Sequence, residues 1–461
     1  MNKNSNRIGT ILLSVAFVLL GYALLVMRFI PVTYRLIILL ITVVVAMIVL
    51  IVTKKQIWRY TLAASIVVVA LGVFFSQFMV NNISSGKEYE LVEYVYLRLK
   101  DNKTVEPTDK VGFYGVRLHD GEDETSGVKP EYLDHEIIEY ADALELADAL
   151  YDGVIDGILT QSSFVADIAF LKPDFEMDTV VVDQFNITEQ RQSIVKDVDV
   201  TNEPFLVYVS GIDVFGDVVT RSRSDMNMLL AVNPQTHEIL TVSIPRDSYL
   251  PLGCEGGEMD KLTHAGLYGI SCSVKTMENL IGHDINYYIR LNFTGLVDIV
   301  DALGGVDVVS HYDFTTDGGL SFKVGKNHVN GEEALIFARE RSNIDYGDVS
   351  RGIHHQELIK AIFQKLISPE NISKLPQMTV LLQNTVDTNL STETLSTLIA
   401  RQISGDTVWS FKENNLKGSG DMQPVHTLSS EYMYYVYWPD SESLNEIKQQ
   451  ITAIMTPLLE E

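Results

Sequence analysis

Two aspartates and four arginines carry the chemistry that this sequence offers. "FLVYVSGID" places Asp213 directly after an apolar run, and "TRSRSD" places Asp225 directly before the next one. Carboxylates at the ends of adjacent strands can converge on one hard cation. Magnesium suits such a pair, because it takes one or two protein carboxylates and completes its shell with water and phosphate oxygens. Acids that simply cap loops are the competing use. "SIPRDSYL" adds Arg246 and Asp247 at a further strand end, where a plain salt bridge is the alternative. In "ALIFARERSNIDYGDVSRGIHHQ", Arg339 and Arg341 fall at the expected C-terminal end of a helix, a position the helix dipole favours for cations. Arg351 falls in the first turn of the next helix, after the capping candidates Asp348 and Ser350. There a cation opposes the dipole at ~0.3–1 kcal/mol unless an anion offsets it. Guanidinium forks match phosphate oxygens in pairs, so a bound phosphate would supply that anion.

The elements that must position these groups follow from periodicity. "FLVYVSGID", "MNMLLAVN" and "EILTVSIP" read as buried strands, and "CSVKTMENLIG", "FTGLVDIVDALGG" and "SRGIHHQELIKAIFQKLIS" as helices. Such alternation predicts an α/β fold with helices covering a central sheet, in a domain spanning residues 204–461. Residues 88–200 predict a smaller α/β accessory domain without a chemical motif, in which "EYLDHEIIEYADALELADALYDG" reads as helical.

Residues 1–81 hold three apolar runs, near 8–27, 36–52 and 60–80. A helix needs ~20 apolar residues to cross the hydrocarbon core, with ~17 a workable minimum, so three spans are expected. Lys3, Arg7, Lys54, Lys55 and Arg59 put the N-terminus and the second connection on the cytoplasmic side, against a smaller outer pair, Arg28 and Arg35. The expected location is the cell membrane, crossed several times, with the large C-terminal region outside. Guanidinium groups gathered on an outward-facing, membrane-tethered domain of a chain whose net charge is -26 describe a site for a lipid pyrophosphate.

The same numbers exclude other classes. A strongly acidic chain whose folded part faces away from the cytoplasm is no nucleic-acid reader. No GxSxG, GxxxxGK[ST] or GxGxxG pattern occurs. His354 and His355 are adjacent and diverge by about 100° on a helix, which argues against a shared zinc ion. Cys254 and Cys272 lie in the outer region, where a disulfide between them would persist and contribute ~3 kcal/mol; two unrelated buried thiols are the alternative.

The ordered series "SGID", "RSD", "NPQT", "SIPRDSYL", "KLTHAG", "DALGGVDV", "HVNGEEALIFARER" and "DVSRGIHHQ" resembles the LytR–CpsA–Psr family of cell-envelope ligases over residues 204–370, most closely the capsule-locus CpsA type. The resemblance implies an α–β–α sandwich with an apolar groove for a polyprenyl tail. It also implies magnesium-dependent transfer of a glycan from a polyprenyl pyrophosphate to peptidoglycan. By the same resemblance Asp213 and Asp225 match the metal-binding acids, and Arg246, Lys261, Arg339, Arg341, Arg351 and Gln356 match pyrophosphate-contacting positions. Asp247 is left between orienting Arg246 and drawing the proton. His264 stands where the family usually has Asn, and His354 with His355 replaces an Arg-Gln pair. The expected partners are the lipid-linked glycan, peptidoglycan, the membrane and other capsule-assembly proteins. A lipid-pyrophosphate hydrolase and a lipid-sensing regulator of capsule synthesis stay open as alternatives.

Overall fold

A computed structural model describes residues 3–27, 30–52, 57–83, 88–101, 109–115, 135–191, 194–212, 214, 217–340, 348–372, 385–404 and 408–456. The three apolar runs form helices Lys3–Val26, Val32–Val52 and Ile57–Ile83. Each contains a stretch long and apolar enough to cross a membrane. Small residues let the first and third helices approach closely: Ala16 and Ala23 pack with Ala63 and Ala70. Leu12, Val18, Leu40, Ile48, Val68 and Leu71 point outward, as lipid-facing residues do. Arg35, in the first turn of the second helix, donates from Nη1 to the Leu24 carbonyl at 3.2 Å, which ties the first two helices together at their connection.

The accessory module is a five-stranded sheet in the order β3-β2-β4-β1-β5. Its strands are β1 (Tyr89–Leu99), β2 (Lys110–Tyr114), β3 (Glu136–Glu139), β4 (Gly157–Gln161) and β5 (Thr179–Gln190). Here the long helix expected across "EYLDHEIIEYADALELADALYDG" is corrected. Its middle part is strand β3, and helix Ala143–Tyr151 starts only where Asp142 accepts from the amides of Leu144 and Glu145. A strong N-cap fixes the helix start, so the apolar residues before it pair as a strand instead.

The module is sewn onto the C-terminal domain. Val95, Leu97 and Tyr114 share one core with Tyr249, Leu267, Val425 and Tyr434. The Arg221 amide donates to the Leu91 carbonyl at 2.8 Å. Helix Ser162–Leu171 faces this seam, with Phe164 and Ile168 in the shared core.

The second sheet contains β6 (Phe205–Ile212), β7 (Ser224–Asn233), β8 (Glu238–Ile244), β11 (Tyr287–Asn292), β16 (Val386–Thr388) and β17 (Ser410–Asn415), in the order β16-β11-β6-β7-β8-β17. Along β6 the side chains alternate between two apolar layers, as a strand buried on both faces requires. Leu206 and Tyr208 pack with helices Ile270–Ile281 and Ser441–Met455. Phe205, Val207 and Val209 pack on the opposite side, where Ile359 and Phe363 of helix Asp348–Leu366 and Leu398 of helix Thr392–Ser404 lie. The result is the expected α–β–α sandwich.

Smaller elements flank the sheet. β9 (Tyr249–Pro251) pairs with β10 (Met259–Lys261), and Cys254 and Cys272 are bonded, tying the turn between those strands to helix Ile270–Ile281. "VDVVS" forms β12 (Val306–Ser310); β13 (Phe314–Thr315) and β14 (Ser321–Phe322) follow as a short pair, and β15 (Gly325–Val329) returns to pair with β12 outside the central sheet. Gly304 and Gly305, with φ of 74° and 85°, make the turn that separates β12 from helix Phe293–Ala302.

Candidate functional site

Strand register levels four chain segments at one end of the sandwich. Ile212, the last residue of β6, pairs with Ser224 at the start of β7 and with Asn292 at the end of β11. Asn227 pairs with Ile244 at the end of β8. Residues distant in sequence therefore emerge side by side, at the strand ends where ligands of open α/β sheets bind. Helices Gly331–Arg339 and Asp348–Leu366 close over this edge and leave a cavity of about 410 Å³.

Among the described residues four arginines line it: Arg223, Arg246, Arg339 and Arg351. Arg246 donates from Nη1 to Oδ2 of Asp225 at 2.6 Å, and the Thr263 hydroxyl donates to the other oxygen of Asp225 at 3.2 Å. Asp247 lies 3.1 Å from Lys261 Nζ and 3.7 Å from Arg246 Nε, so it faces two cations at once. The Arg339 guanidinium sits 4.6 Å from the centroid of the Phe293 ring, a cation–π contact that holds it at the end of its helix. Helix Phe293–Ala302 starts on the cavity wall, and its N-terminal dipole adds to the pull on an anion. Leu291, Leu296, Leu335 and Leu358 make the remaining wall apolar. The site can therefore grip a polyanion next to a hydrocarbon.

The sequence expectations divide. Asp225, Arg246, Arg339 and Arg351 meet at this cavity, while Lys261 stands behind Arg246 and reaches it through Asp247. Asp213 and Arg341 lie outside the described residues. Gln356 is corrected: it is 1% exposed, and its Nε2 donates to the carbonyls of Thr241 and Asn414 at 3.2 and 2.7 Å. His355 is four residues beyond Arg351 and shares its face of the helix, whereas Gln356 is turned a further ~100° toward β8 and β17. Ser350 is also corrected, since it lies within the helix that begins at Asp348 rather than capping it.

Among the charged and aromatic residues that line the cavity, three were missed. Arg223 precedes Asp225 by two positions, and the alternation of an extended chain was a usable signal that both share a face. His355, four residues beyond Arg351 on the expected helix, carried the helical signal of a shared face, whereas Phe293 carried none.

Magnesium is tested by the donor set. Asp225 presents a carboxylate in the arginine-lined cavity, and both its oxygens retain acceptor capacity beyond their bonds to Arg246 and Thr263. That fits a cation which takes few protein ligands and completes its shell with phosphate and water. Among the described residues no group of three or more His, Cys, Asp or Glu side chains is placed to hold a metal ion, at this cavity or elsewhere.

The two departures from the family pattern have structural roles. His264 bonds through Nδ1 to Asp260 at 2.6 Å, and Asp260 accepts the Thr427 amide at 2.8 Å. His354 stacks on Phe337 with ring centroids 4.0 Å apart, and burial holds its imidazole down at about 4. Burial and then Arg351 push His355 down to about 3. An unfolded chain protonates these rings near their ordinary 6.5, while the folded one does not. Their contribution to stability is thus complete above pH 6.5 and is lost progressively on acidification toward those folded values. Replacing His354 by Phe, which fits the aromatic stack, is expected to flatten the fall in melting temperature between pH 6.5 and 4. An unaltered pH slope would rule out this origin.

Residues 176–453 match the family model described as LytR_cpsA_psr family. The polyisoprenyl-teichoic acid–peptidoglycan teichoic acid transferase TagU of Bacillus anthracis is 34% identical over 244 residues, which are 52% of this chain and 76% of that protein. The protein of the same name from Enterococcus faecalis is 33% identical over 223 residues, 48% and 72% of the two chains. The crystal structure of B. subtilis TagU is 30% identical and covers 56% of this chain and all of that one, with a TM-score of 0.45.

Proposed function

This chain belongs to the LytR_cpsA_psr family, and on that premise we propose that it transfers capsular polysaccharide from a polyprenyl pyrophosphate carrier to peptidoglycan, leaving a phosphodiester link. The observation that carries this reading is the meeting of Arg223, Arg246, Arg339 and Arg351 around one cavity, in a chain of net charge -26. Guanidinium groups concentrated against the overall charge need an anionic ligand, and the apolar wall beside them suits the start of an isoprenoid tail.

In the reaction, a muramic-acid hydroxyl attacks the sugar-linked phosphorus. The phosphoanhydride bond breaks, polyprenyl phosphate leaves, and the hydroxyl proton passes to solvent or to the departing phosphate. Phosphoryl transfer depends mostly on positioning and on neutralising charge on the equatorial oxygens. Arg246 supplies both, held between Asp225 and Asp247. Arg339 and Arg351 bind the remaining pyrophosphate oxygens, and Arg341 is a candidate for the same task. Asp247 faces Lys261 and Arg246, the arrangement of an orienting group. Magnesium, when bound, would act as Lewis acid on the phosphoryl oxygens, and Asp225 with Asp213 would hold it.

The cysteine bond and the cation bias of the first connections support an extracytoplasmic catalytic domain with a cytoplasmic N-terminus. Ile399 of helix Thr392–Ser404 packs with Met27, Ile30 and Val73, which would seat the domain at the outer end of the membrane helices. Other capsule-assembly proteins are the further partners expected there.

The test uses the full chain in lipid vesicles with a polyprenyl-pyrophosphate-linked glycan. Phosphodiester-linked product and polyprenyl phosphate are expected only when peptidoglycan is added. Release without an acceptor would make the protein a hydrolase. Tight binding with no turnover in either case would favour a lipid sensor.

A further inference from the structure

Arg246 takes its carboxylate partners, Asp225 and Asp247, from the catalytic sandwich. Arg223 differs. From the same cavity wall it donates through Nη1 to Oδ1 of Asp167 at 2.7 Å, and Asp167 belongs to helix Ser162–Leu171 of the accessory module. Asp167 is 7% exposed, while the Arg223 side chain keeps 26% exposure at the cavity. Among the described residues no donor reaches the second oxygen of Asp167, so its carboxylate depends on Arg223 for its one short hydrogen bond.

The backbone that carries Arg223 is fixed from the other side. Gly266 packs so tightly that a Cβ there would meet the Ser222 carbonyl oxygen at 2.4 Å and the Ser224 amide at 3.0 Å. What freedom remains lies in the long arginine side chain, and Asp167 removes it by holding one edge of the guanidinium. The other donors of the fork stay available to a ligand.

We propose that Asp167 is a positioning residue for the phosphate-binding cavity, so that the accessory module sets how Arg223 meets the pyrophosphate. This rests on the pyrophosphate reading of the cavity. It gives the accessory module a task in ligand recognition. Two opposing effects decide the sign. Removing Asp167 takes a negative charge away from an anion site, but Arg223 at 2.7 Å offsets that charge, and burial, which pushes the Asp167 carboxyl up, weakens it further. Losing the anchor frees a side chain with four torsions, which must then be ordered each time a ligand binds. Loss of order is expected to win.

The probe is inorganic pyrophosphate, titrated calorimetrically into the full-length protein in detergent. Asp167→Ala is expected to weaken binding about tenfold, the scale of one ordered, rotamer-rich side chain. Arg223→Ala should weaken it at least as much, and the double variant should match Arg223→Ala alone, because Asp167 acts through Arg223. A merely structural role would instead add to the Arg223→Ala loss. The isosteric Asp167→Asn keeps an acceptor without the charge and is expected to lose about threefold, with no further loss in the Arg223→Ala background. That variant decides the matter if the alanine does not fold. Wild-type binding with unchanged or tighter binding by the Asp167 variants overturns the inference alone. No binding by the wild type overturns the pyrophosphate reading and the inference with it.

Discussion

Replacement of Arg246 by alanine is expected to slow glycan transfer at least about a hundredfold, the usual cost of deleting a preorganised donor at a developing oxyanion. Arg246 is central because it links both acids of the site, reaching Asp225 at 2.6 Å and lying 3.7 Å from Asp247. Its removal takes a cation from the cavity and leaves Asp225 there without its ion-pair partner. Both effects oppose polyanion binding. Arg246→Lys is expected to recover little, because an ammonium point charge cannot hold two acids and a phosphate in one plane as a guanidinium does. The measurement is initial transfer rate in vesicles at saturating donor, with melting temperature as the folding control. A well-folded Arg246→Ala protein at full rate would remove Arg246 from the mechanism.

The second large effect concerns the seam between the domains. Glu90, on β1 of the accessory module, is 2% exposed and receives Arg290 Nη1 at 2.9 Å, Arg221 Nε at 3.0 Å and the Ile270 amide at 3.1 Å. Arg191 stands 3.5 Å away and pairs with Asp387, which Arg290 also reaches. Burial alone would push the Glu90 carboxyl up, but Arg290, Arg221 and Arg191 together reverse this and hold it below its ordinary value.

Glu90→Gln leaves that cluster with an uncompensated buried cation, and breaking a buried pair in this way costs ~3–5 kcal/mol. The exposed pair Lys110–Glu136 is the control, since Glu136→Gln is expected to cost less than ~1 kcal/mol. The readout is the unfolding midpoint of the full chain in detergent. Because the Glu90 carboxyl is depressed in the folded state, its contribution is complete above its ordinary value of 4.5 and is lost as acidification carries it through the lower folded value. The wild type should therefore lose its advantage over Glu90→Gln below that pH. A Glu90→Gln midpoint equal to that of Glu136→Gln would show that the cluster contributes no net stability.

Much of the site was legible because the informative signals are local. A run such as Val32–Val52 announces a span by length and composition alone, and the alternation in β6 marks a strand buried on both faces. Asp225, Arg246 and Arg351 were recognisable from their positions at the ends of such elements. Error entered where a local pattern served two structures. The apolar residues around Ile137 fit either a helix or a strand until Asp142 sets the helix start. Gln356 follows His355 directly, yet one helical step turns it from the cavity toward the β8 and β17 backbone.

By itself, then, the sequence determined the number of helices apolar enough to span a membrane, the layered α/β class and the side-chain chemistry brought to the pocket. Each of these depends on composition or on spacing of a few residues. Tertiary structure decided which of those groups share one cavity, because the order β16-β11-β6-β7-β8-β17 sets which strand ends are neighbours. It also decided that an accessory-module acid, Asp167, grips Arg223 across 56 residues of chain. Contacts of that range leave no periodic mark in the sequence, since they are fixed only when separate sheets bury their faces against each other.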